Sequence, residues 1–305
     1  NLIAHHAYND GDVMKFNQSR NITVENCDVS YPALRVGKEE EQHYQELIDF
    51  LDVDNAVVRN CRFHHAGTMA IYAKGGSRNA IFENNILLGN NLNENPGDGL
   101  LGIGSWSDSK LFVDGDEYEA YNMIVRNNII IGAKSQAIGI YDSFGARIYN
   151  NVIVNSNEHS IFFRKGNSPK DESRDTEIFN NIFIDTRGKM VPPVSKQRQR
   201  AVYDVKLGNN IFWNNGSPIP TGEYNYNLPV VDVLKDEYNS IVKDPGFDNL
   251  VVDFDKLEKM SNEEIARMFT PKKGSPAWES GVVSEYAPEN FFGKKREKTS
   301  HIGIM

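Results

Sequence analysis

Short apolar runs alternate with polar residues through the first two-thirds of the chain. Runs such as NITVENCDV, NAVVRNCRF and NMIVRNNIII are brief and rich in Val, Ile and Phe, and turn-forming residues separate them. Such a pattern is typical of β-strands that bury one face. It predicts an all-β chain of many short strands around a common core.

The strand runs recur around an asparagine pair. The phrase returns seven times, at VENC (24–27), VRNC (58–61), FENN (82–85), VRNN (125–128), the pair 150–151, IFNN (178–181) and LGNN (207–210). Successive first asparagines are 23 to 43 residues apart, which fits a short period with insertions. Periods of this size indicate leucine-rich repeats or a parallel β-solenoid, and the Leu spacing of the former is missing.

Each asparagine pair predicts a corner of one solenoid coil. Asparagine tolerates left-handed backbone and can hydrogen-bond to its own backbone. Equivalent residues of successive coils stack about 4.8 Å apart, so the asparagines should form a ladder. Cys27 and Cys61 take the second position of the first two corners, where we expect stacked thiols more than a cystine.

The phrase series resembles the right-handed parallel β-helix proteins of the pectate-lyase-like superfamily, over roughly residues 1–215. The resemblance implies that fold and a secreted or periplasmic location. It also implies a carbohydrate-active enzyme that degrades an acidic polysaccharide, with tailspikes and adhesins as a non-catalytic minority. Because one fold hosts many activities, the site needs its own argument.

The last third, residues 216–305, loses the phrase and predicts an irregular tail that caps the same domain. SNEEIARMF (261–269) predicts a short helix with Ser261 as N-cap and Glu264 completing a capping box. An open solenoid end must be covered to prevent edge pairing, so we expect the tail to cover it.

The net charge and the length of the apolar runs limit the classes of partner that the chain could bind. A net charge of −9 and a pI near 5.4 argue against nucleic acid, because phosphate binding needs a basic surface. No apolar run reaches the roughly 18–20 residues of a membrane span. The chain begins at Asn1 without a signal-type segment, so we expect a processed or trimmed N-terminus that starts inside a coil. The oligomeric state is left open.

One outward stripe carries the candidate chemistry. In the family that the chain resembles, substrate lies along one parallel sheet. Period-two alternation places Met14, Phe16, Ile48, Phe50, Ile71, Ala73, Ile138, Ile140, Ile161 and Phe163 inward. The outward residues, expected to stack as one exposed stripe, are Lys15, Asp49, Tyr72, Lys74, Tyr141 and Arg164.

Two His-His-Ala phrases precede strands of this stripe. We expect His5 and His6 to stack near His64 and His65 on one rim of the groove, where His6 and His64 would bind substrate. These histidines could equally bind a transition metal or serve only as structural hydrogen-bonding groups.

The turn NDGD (9–12) presents Asp10 and Asp12 as ligands for a calcium ion, although it lacks the full calcium-loop pattern.

Three insertions, 36–46, 93–119 and 166–175, frame the stripe. Long loops on a rigid scaffold are usual places for specificity. Trp106 in the second insertion could stack on a sugar ring, or pack against the coil.

The leading hypothesis is a polysaccharide lyase that cleaves a uronic-acid polymer by β-elimination. Lys74 is the candidate base, with His65 as the competing base, and Tyr72 or Tyr141 would protonate the leaving oxygen. Arg164 and Lys15 would hold substrate carboxylates.

Two alternatives stay open. A glycoside hydrolase needs a carboxylate pair, for which Asp12, Glu46, Asp49 and Asp142 are the candidates. A non-catalytic carbohydrate-binding or adhesive β-helix could carry the same stripe without an acid–base pair.

Overall fold

The computed structural model describes residues 2–7, 11–36, 42–112, 115–297 and 300–305. Within these residues, three parallel sheets form the sides of a solenoid. Sheet A contains Leu2–His5, Cys27–Ser30, Arg62–His64, Ile86–Leu88, Ile129–Ile131, Val152–Val154, Ile182–Ile184 and Ile211–Trp213. Sheet B contains Met14–Asn17, Ile48–Leu51, Ile71–Lys74, Leu101–Ile103, Ile138–Tyr141, Ile161–Arg164, Val194–Gln197 and Asn227–Pro229. Sheet C contains Thr23–Glu25, Val57–Arg59, Ser77–Arg78, Ile81–Glu83, Ala120–Tyr121, Ile124–Arg126, Ser143–Phe144, Arg147–Tyr149, Glu172–Phe179 and Ala201–Gly208.

Two strand pairs among the described residues are antiparallel. Leu34–Val36 and Gln42–Tyr44 form a small antiparallel pair where the first insertion begins. Asn227–Pro229 pairs with Val194–Gln197 at the end of sheet B. All other pairs between named strands are parallel, so successive coils stack on one another through all three sheets; some coils contribute two short strands to sheet C, such as Ser77–Arg78 and Ile81–Glu83.

The asparagine pairs form the corner between sheets C and A, as predicted. The first residue of every pair has a left-handed backbone, with φ between 54° and 57°. The second residue forms a buried ladder: Asn128 Nδ2 donates to Asn151 Oδ1 at 3.0 Å, and Asn151 Nδ2 donates to Asn181 Oδ1 at 3.0 Å. Each ladder oxygen also accepts a backbone N–H of the preceding coil, which satisfies groups that the corner would otherwise bury unpaired.

Cys27 and Cys61 continue this ladder as free thiols. The backbone N–H of Cys27 donates to Cys61 Sγ at 3.4 Å, where later coils place an asparagine oxygen. Burial raises the pKa of Cys61 to about 12, so this thiol stays protonated at neutral pH.

The predicted inward residues line the core. Ile48, Phe50, Ile71 and Ala73 are buried in one continuous cluster, and the same holds for the inward residues of the strands at 138–141 and 161–164. Phe16 stacks on Phe50 with ring centroids 5.1 Å apart. The alternation rule therefore gave the correct face for each of these strands.

Two short α-helices lie in the described part of the tail, α1 (Phe254–Leu257) and α2 (Asn262–Arg267). The predicted capping box is confirmed, because Ser261 and Glu264 exchange both of its hydrogen bonds. Leu257 and Ile265 pack on the outer face of sheet A, where Ile129 and Ile131 form part of a second apolar cluster. The tail therefore covers one side of the solenoid as well as pairing with its last strands, an arrangement that the capping argument did not anticipate.

Candidate functional site

The outward residues of sheet B have the predicted register. Lys15 lies beside Asp49, and Asp49 lies beside Tyr72. The next two outward positions in this row are Gly102 and Gly139. The stripe is thus divided into two groups by residues without side chains. It is also less exposed than expected, because Asp49, Tyr72 and Tyr141 are buried.

The first group is an acid–lysine cluster formed by Asp12, Lys15, Glu46, Asp49, Tyr72 and Lys74. Lys15 Nζ lies 2.6 Å from Asp49 Oδ2 and 3.3 Å from Asp12 Oδ2. Lys74 Nζ lies 4.0 Å from Asp49 Oδ2 and 5.0 Å from the centroid of the Tyr72 ring. Two ammonium groups and two carboxylates therefore face one another around Asp49.

Glu46 adds a third carboxyl group to this cluster. Burial, together with the adjacent Asp12 carboxylate, raises the pKa of Glu46 to about 7. Thr68 Oγ1 donates to Glu46 Oε1 at 3.0 Å, and the Glu46 backbone N–H donates to Asp12 Oδ1 at 3.3 Å. A substantial fraction of Glu46 is therefore protonated at neutral pH, beside a second carboxyl group, which is the arrangement of a general acid and its partner.

The surroundings of Tyr72 and Lys74 bear on their predicted roles as acid and base. Burial, followed by the charges of Glu46 and Asp49, raises the pKa of Tyr72 well above its usual value. Its phenol is consequently a hydrogen-bond donor and a weak acid. The amine of Lys74 faces the Asp49 carboxylate, and its role as the base stays a prediction.

The second group anchors a loop. Tyr141 Oη donates to Asp98 Oδ1 at 3.0 Å and accepts the Gly99 N–H at 3.3 Å. Arg164 lies 3.1 Å from the same Asp98 oxygen. The Tyr141 ring folds across Gly139, where a Cβ would come within 2.6 Å of Cε2. Since Tyr141 is fully buried beneath residues 97–99, its hydroxyl is engaged in holding that segment on the sheet.

An open cleft lies beside this anchored loop. Its volume is about 630 Å³. We call it the Trp106 cleft; the residues that line it are Trp106, Arg164, Lys165, Gln197, Arg198, Gln199, Tyr226 and Asn227. Trp106 is 56% exposed and Tyr226 is 82% exposed, although both are large aromatic residues. Lys165 Nζ lies 6.0 Å from the Trp106 ring centroid, and Arg198 pairs with Glu223.

Tyr226 is held outward by a tight turn. Tyr224 and Asn227 exchange backbone hydrogen bonds of 3.1 and 2.9 Å, and the two residues between them, Asn225 and Tyr226, have φ of 47° and 64°. Two left-handed residues in a two-residue hairpin are typical of a type I′ turn, which usually takes Asn-Gly. A tyrosine at the glycine position costs about 1–2 kcal/mol.

Comparison with known families assigns the fold. The model of the family described as "Right handed beta helix region" matches residues 2–191, which is more than half of the chain. The chain belongs to the right-handed beta helix family. This confirms the predicted handedness and the resemblance to parallel β-helix proteins.

Two solved structures are similar to this right-handed beta helix protein. One is the surface protein and adhesin PfbA of Streptococcus pneumoniae, with 13% identity and a TM-score of 0.45 over 72% of each chain. The other is a crystal structure of PfbA, with 12% identity and a TM-score of 0.43 over 69% of this chain and 63% of that chain. No curated protein matches the sequence. None of the helices in the described residues has the length and apolar character to cross a bilayer.

The histidine pairs lie at the end of sheet A, where its first and third strands stop. His6, Tyr31 and His65 form a stack at the end of sheet A, with ring centroids 4.9 and 4.3 Å apart. His6 and His65 therefore lie near each other in one stack, as expected, with the Tyr31 ring of the intervening coil between them. His65 contacts Glu258 of the tail, with 3.5 Å between Nε2 and Oε1, so its surroundings are those of sheet A.

The structure places Asp12 of the predicted calcium turn and the hydrolase candidate Asp142 in different parts of the solenoid. Asp10 lies outside the described residues, while Asp12 belongs to the acid–lysine cluster, and calcium at this turn stays a prediction. Asp142 is buried in an ion pair with Arg200 and accepts the Ser168 N–H at 3.4 Å. Asp142 thus holds the loops that follow the strands Ile161–Arg164 and Val194–Gln197.

Sequence reasoning missed Lys165, Arg198 and Tyr226. Arg198 follows the last parallel strand of sheet B, and Tyr226 precedes its antiparallel strand. The repeat stops before this hairpin, so its pattern gave no signal there. The Tyr-Asn-Tyr-Asn sequence at 224–227 was the available sign of a turn.

Proposed function

We propose that this right-handed beta helix protein binds an acidic polysaccharide outside the cytoplasm, with the Trp106 cleft as its principal binding site. The observation that carries the proposal is one open cleft that combines two exposed aromatic rings with three cationic side chains. An aromatic ring covers the apolar face of a sugar, and a guanidinium pairs with a carboxylate through two parallel hydrogen bonds.

Local charge supports an anionic ligand despite the net charge of −9. Arg164 and Arg198 each have a carboxylate partner, Asp98 and Glu223. Lys165 forms no ion pair within the described part of the chain, so the cleft holds one more positive charge than these two pairs balance. Such a local field attracts a polyanion even on an acidic protein.

The turn at Tyr226 supports a binding role independently. Strained backbone persists where surrounding structure maintains it, and such positions cluster at ligand sites. A tyrosine at a glycine position that is almost fully exposed gains little from packing, so stability alone gives no reason for it.

The test is equilibrium binding of a panel of uronic-acid oligosaccharides to the wild type and to Trp106→Ala. We expect a loss of affinity of about 2- to 10-fold, since one stacked ring contributes on the order of 0.5–1.5 kcal/mol. Tyr203→Ala is the matched control, because Tyr203 is another exposed aromatic residue beside an arginine, on sheet C. Equal affinity of the wild type and Trp106→Ala would contradict the proposal.

A second candidate function is cleavage of the bound polymer at the acid–lysine cluster. The elevated pKa of Glu46 favours it, because Glu46 could protonate a leaving oxygen while Asp12 or Asp49 acts as base or nucleophile. Lys15 and Lys74 would hold a uronate carboxylate. The β-elimination predicted from the sequence would instead use Lys74, or its competitor His65, as the base.

The same incubations distinguish these reactions. New reducing ends without ultraviolet absorbance, lost in Glu46→Gln, would support hydrolysis. Absorbance of an unsaturated uronate, lost in Lys74→Ala, would support elimination. Binding without either product would leave the carbohydrate-binding or adhesive function.

A further inference from the structure

A cluster of metal-binding side chains lies where the tail crosses sheet A. One ring nitrogen each of His64 and His65 and one carboxylate oxygen of Glu258 lie within 4.8 Å of one another. The Nδ1 atoms of the two histidines are 2.8 Å apart. These three residues, the His64 cluster, belong to neither the acid–lysine cluster nor the Trp106 cleft.

Outer partners orient these side chains as they do in metal sites. His64 Nε2 donates to Asp28 Oδ1 at 2.9 Å, which leaves its Nδ1 as the unprotonated nitrogen, facing His65 Nδ1. Asn90 Nδ2 donates to Glu258 Oε1 at 2.6 Å and so fixes the carboxylate. A carboxylate behind a ligating histidine fixes its tautomer and raises its basicity.

We infer that the His64 cluster binds a divalent transition-metal ion, with zinc as the best match. Two imidazole nitrogens and one carboxylate oxygen are a ligand set that zinc takes, with a water molecule in the fourth position. The three side chains are partly exposed, between 16% and 35%, so an ion and its water can enter.

The ion would join two parts of the chain that are far apart in sequence. His64 ends a strand of sheet A, whereas Glu258 directly follows α1 in the tail. Arg62 already holds this segment, because its Nη1 donates to the Met260 carbonyl at 2.9 Å. Zinc would therefore add a second, reversible tie between the tail and the solenoid.

The test is calorimetric titration of chelator-treated protein with Zn²⁺, together with the absorbance spectrum of the Co²⁺ form. We expect one ion per chain and the intense visible bands of a four-coordinate cobalt site. Glu258→Gln keeps the side-chain shape and an oxygen for Asn90 on an exposed position, so it should fold normally and bind at least tenfold more weakly. Asp28→Asn should weaken binding about 10–100-fold.

The exposed pair His5 and His6 supplies the control, since its Nδ1 atoms also face each other and it has no Glu258 beside it. His5→Ala and His6→Ala should leave the affinity unchanged. Absence of saturable Zn²⁺ binding would overturn the inference and leave a simple hydrogen-bonded histidine pair. The inference would also be overturned by zinc binding that persists in both Glu258→Gln and His65→Ala, or by zinc binding that is lost in His5→Ala.

Discussion

Replacing Glu46 by glutamine should remove a pH dependence of stability that the folded structure imposes. The pKa of this carboxyl rises from an ordinary 4.5 to about 7 because of burial and the neighbouring Asp12. Ionising it in the folded state therefore costs on the order of 3 kcal/mol more than in the unfolded chain. Part of this cost belongs to the interaction with Asp12, so the observable effect should lie at about 2–3 kcal/mol.

The sign follows from which state holds the proton. Well below the ordinary pKa, Glu46 is protonated in both states and contributes its full stabilisation. As pH rises, the unfolded chain loses the proton first, so the free energy of unfolding falls until the folded pKa near 7 is passed. Glu46→Gln stays neutral, keeps an oxygen for the Thr68 hydroxyl, and should be the more stable protein above neutral pH.

Urea denaturation of both proteins at about pH 4.5 and about pH 8 measures this difference. Glu264→Gln is a control of opposite sign, because hydrogen bonds from the Ser261 backbone and side chain lower the pKa of Glu264. The stabilisation that ionised Glu264 contributes should be present above its ordinary pKa and should be lost as the pH falls. If the stabilities of the wild type and Glu46→Gln follow the same pH profile, Glu46 is not the raised acid of the cluster.

Three further changes test the fold and the cleft. Asn151→Ala leaves buried hydrogen-bonding partners in two adjacent coils unpaired, so it should lower the free energy of unfolding by about 3–5 kcal/mol. Asn157→Ala, on the surface, should change this free energy by less than about 0.5 kcal/mol. Urea denaturation of both variants measures the difference. Ile265→Ala empties a buried position under α2 and should cost about 2–4 kcal/mol of tail stability, seen as faster hydrogen exchange on sheet A. Tyr226→Gly relieves the left-handed backbone and should raise stability by up to about 1 kcal/mol while weakening oligosaccharide binding; a stability loss would show that the turn is not strained.

The repeating part of the fold could be predicted because each coil repeats the same local sequence pattern. Asn150 and Asn151 fix a left-handed corner and a buried ladder, and alternation around them assigns each neighbouring side chain to the core or the surface. Both signals act within a few residues. The helix at Asn262–Arg267 was predictable for the same reason, since its capping box is local.

Contacts between segments that are far apart in the sequence could not be predicted from these local patterns. Nothing around Tyr141 indicates that Asp98 and Gly99 would lie over it, and nothing around His65 indicates a partner at Glu258. Tyr31 stacks on His65 because both occupy the same corner of successive coils, but the His-His-Ala phrase of the two flanking coils is replaced by Ser-Tyr-Pro in the coil of Tyr31. Outward residues are therefore placed correctly by the repeat, while their exposure depends on loops that it does not describe.

The most direct test of the central proposal is the salt dependence of uronic-acid oligosaccharide binding to the wild type, Trp106→Ala and Lys165→Ala, measured by calorimetry. The Trp106 cleft predicts that Trp106→Ala lowers affinity by a similar factor at every salt concentration. It also predicts that Lys165→Ala makes binding less sensitive to salt, because one charge contact with the polyanion is gone. Binding that is unchanged in both variants would show that the ligand, if bound, lies elsewhere on the solenoid and would contradict the account.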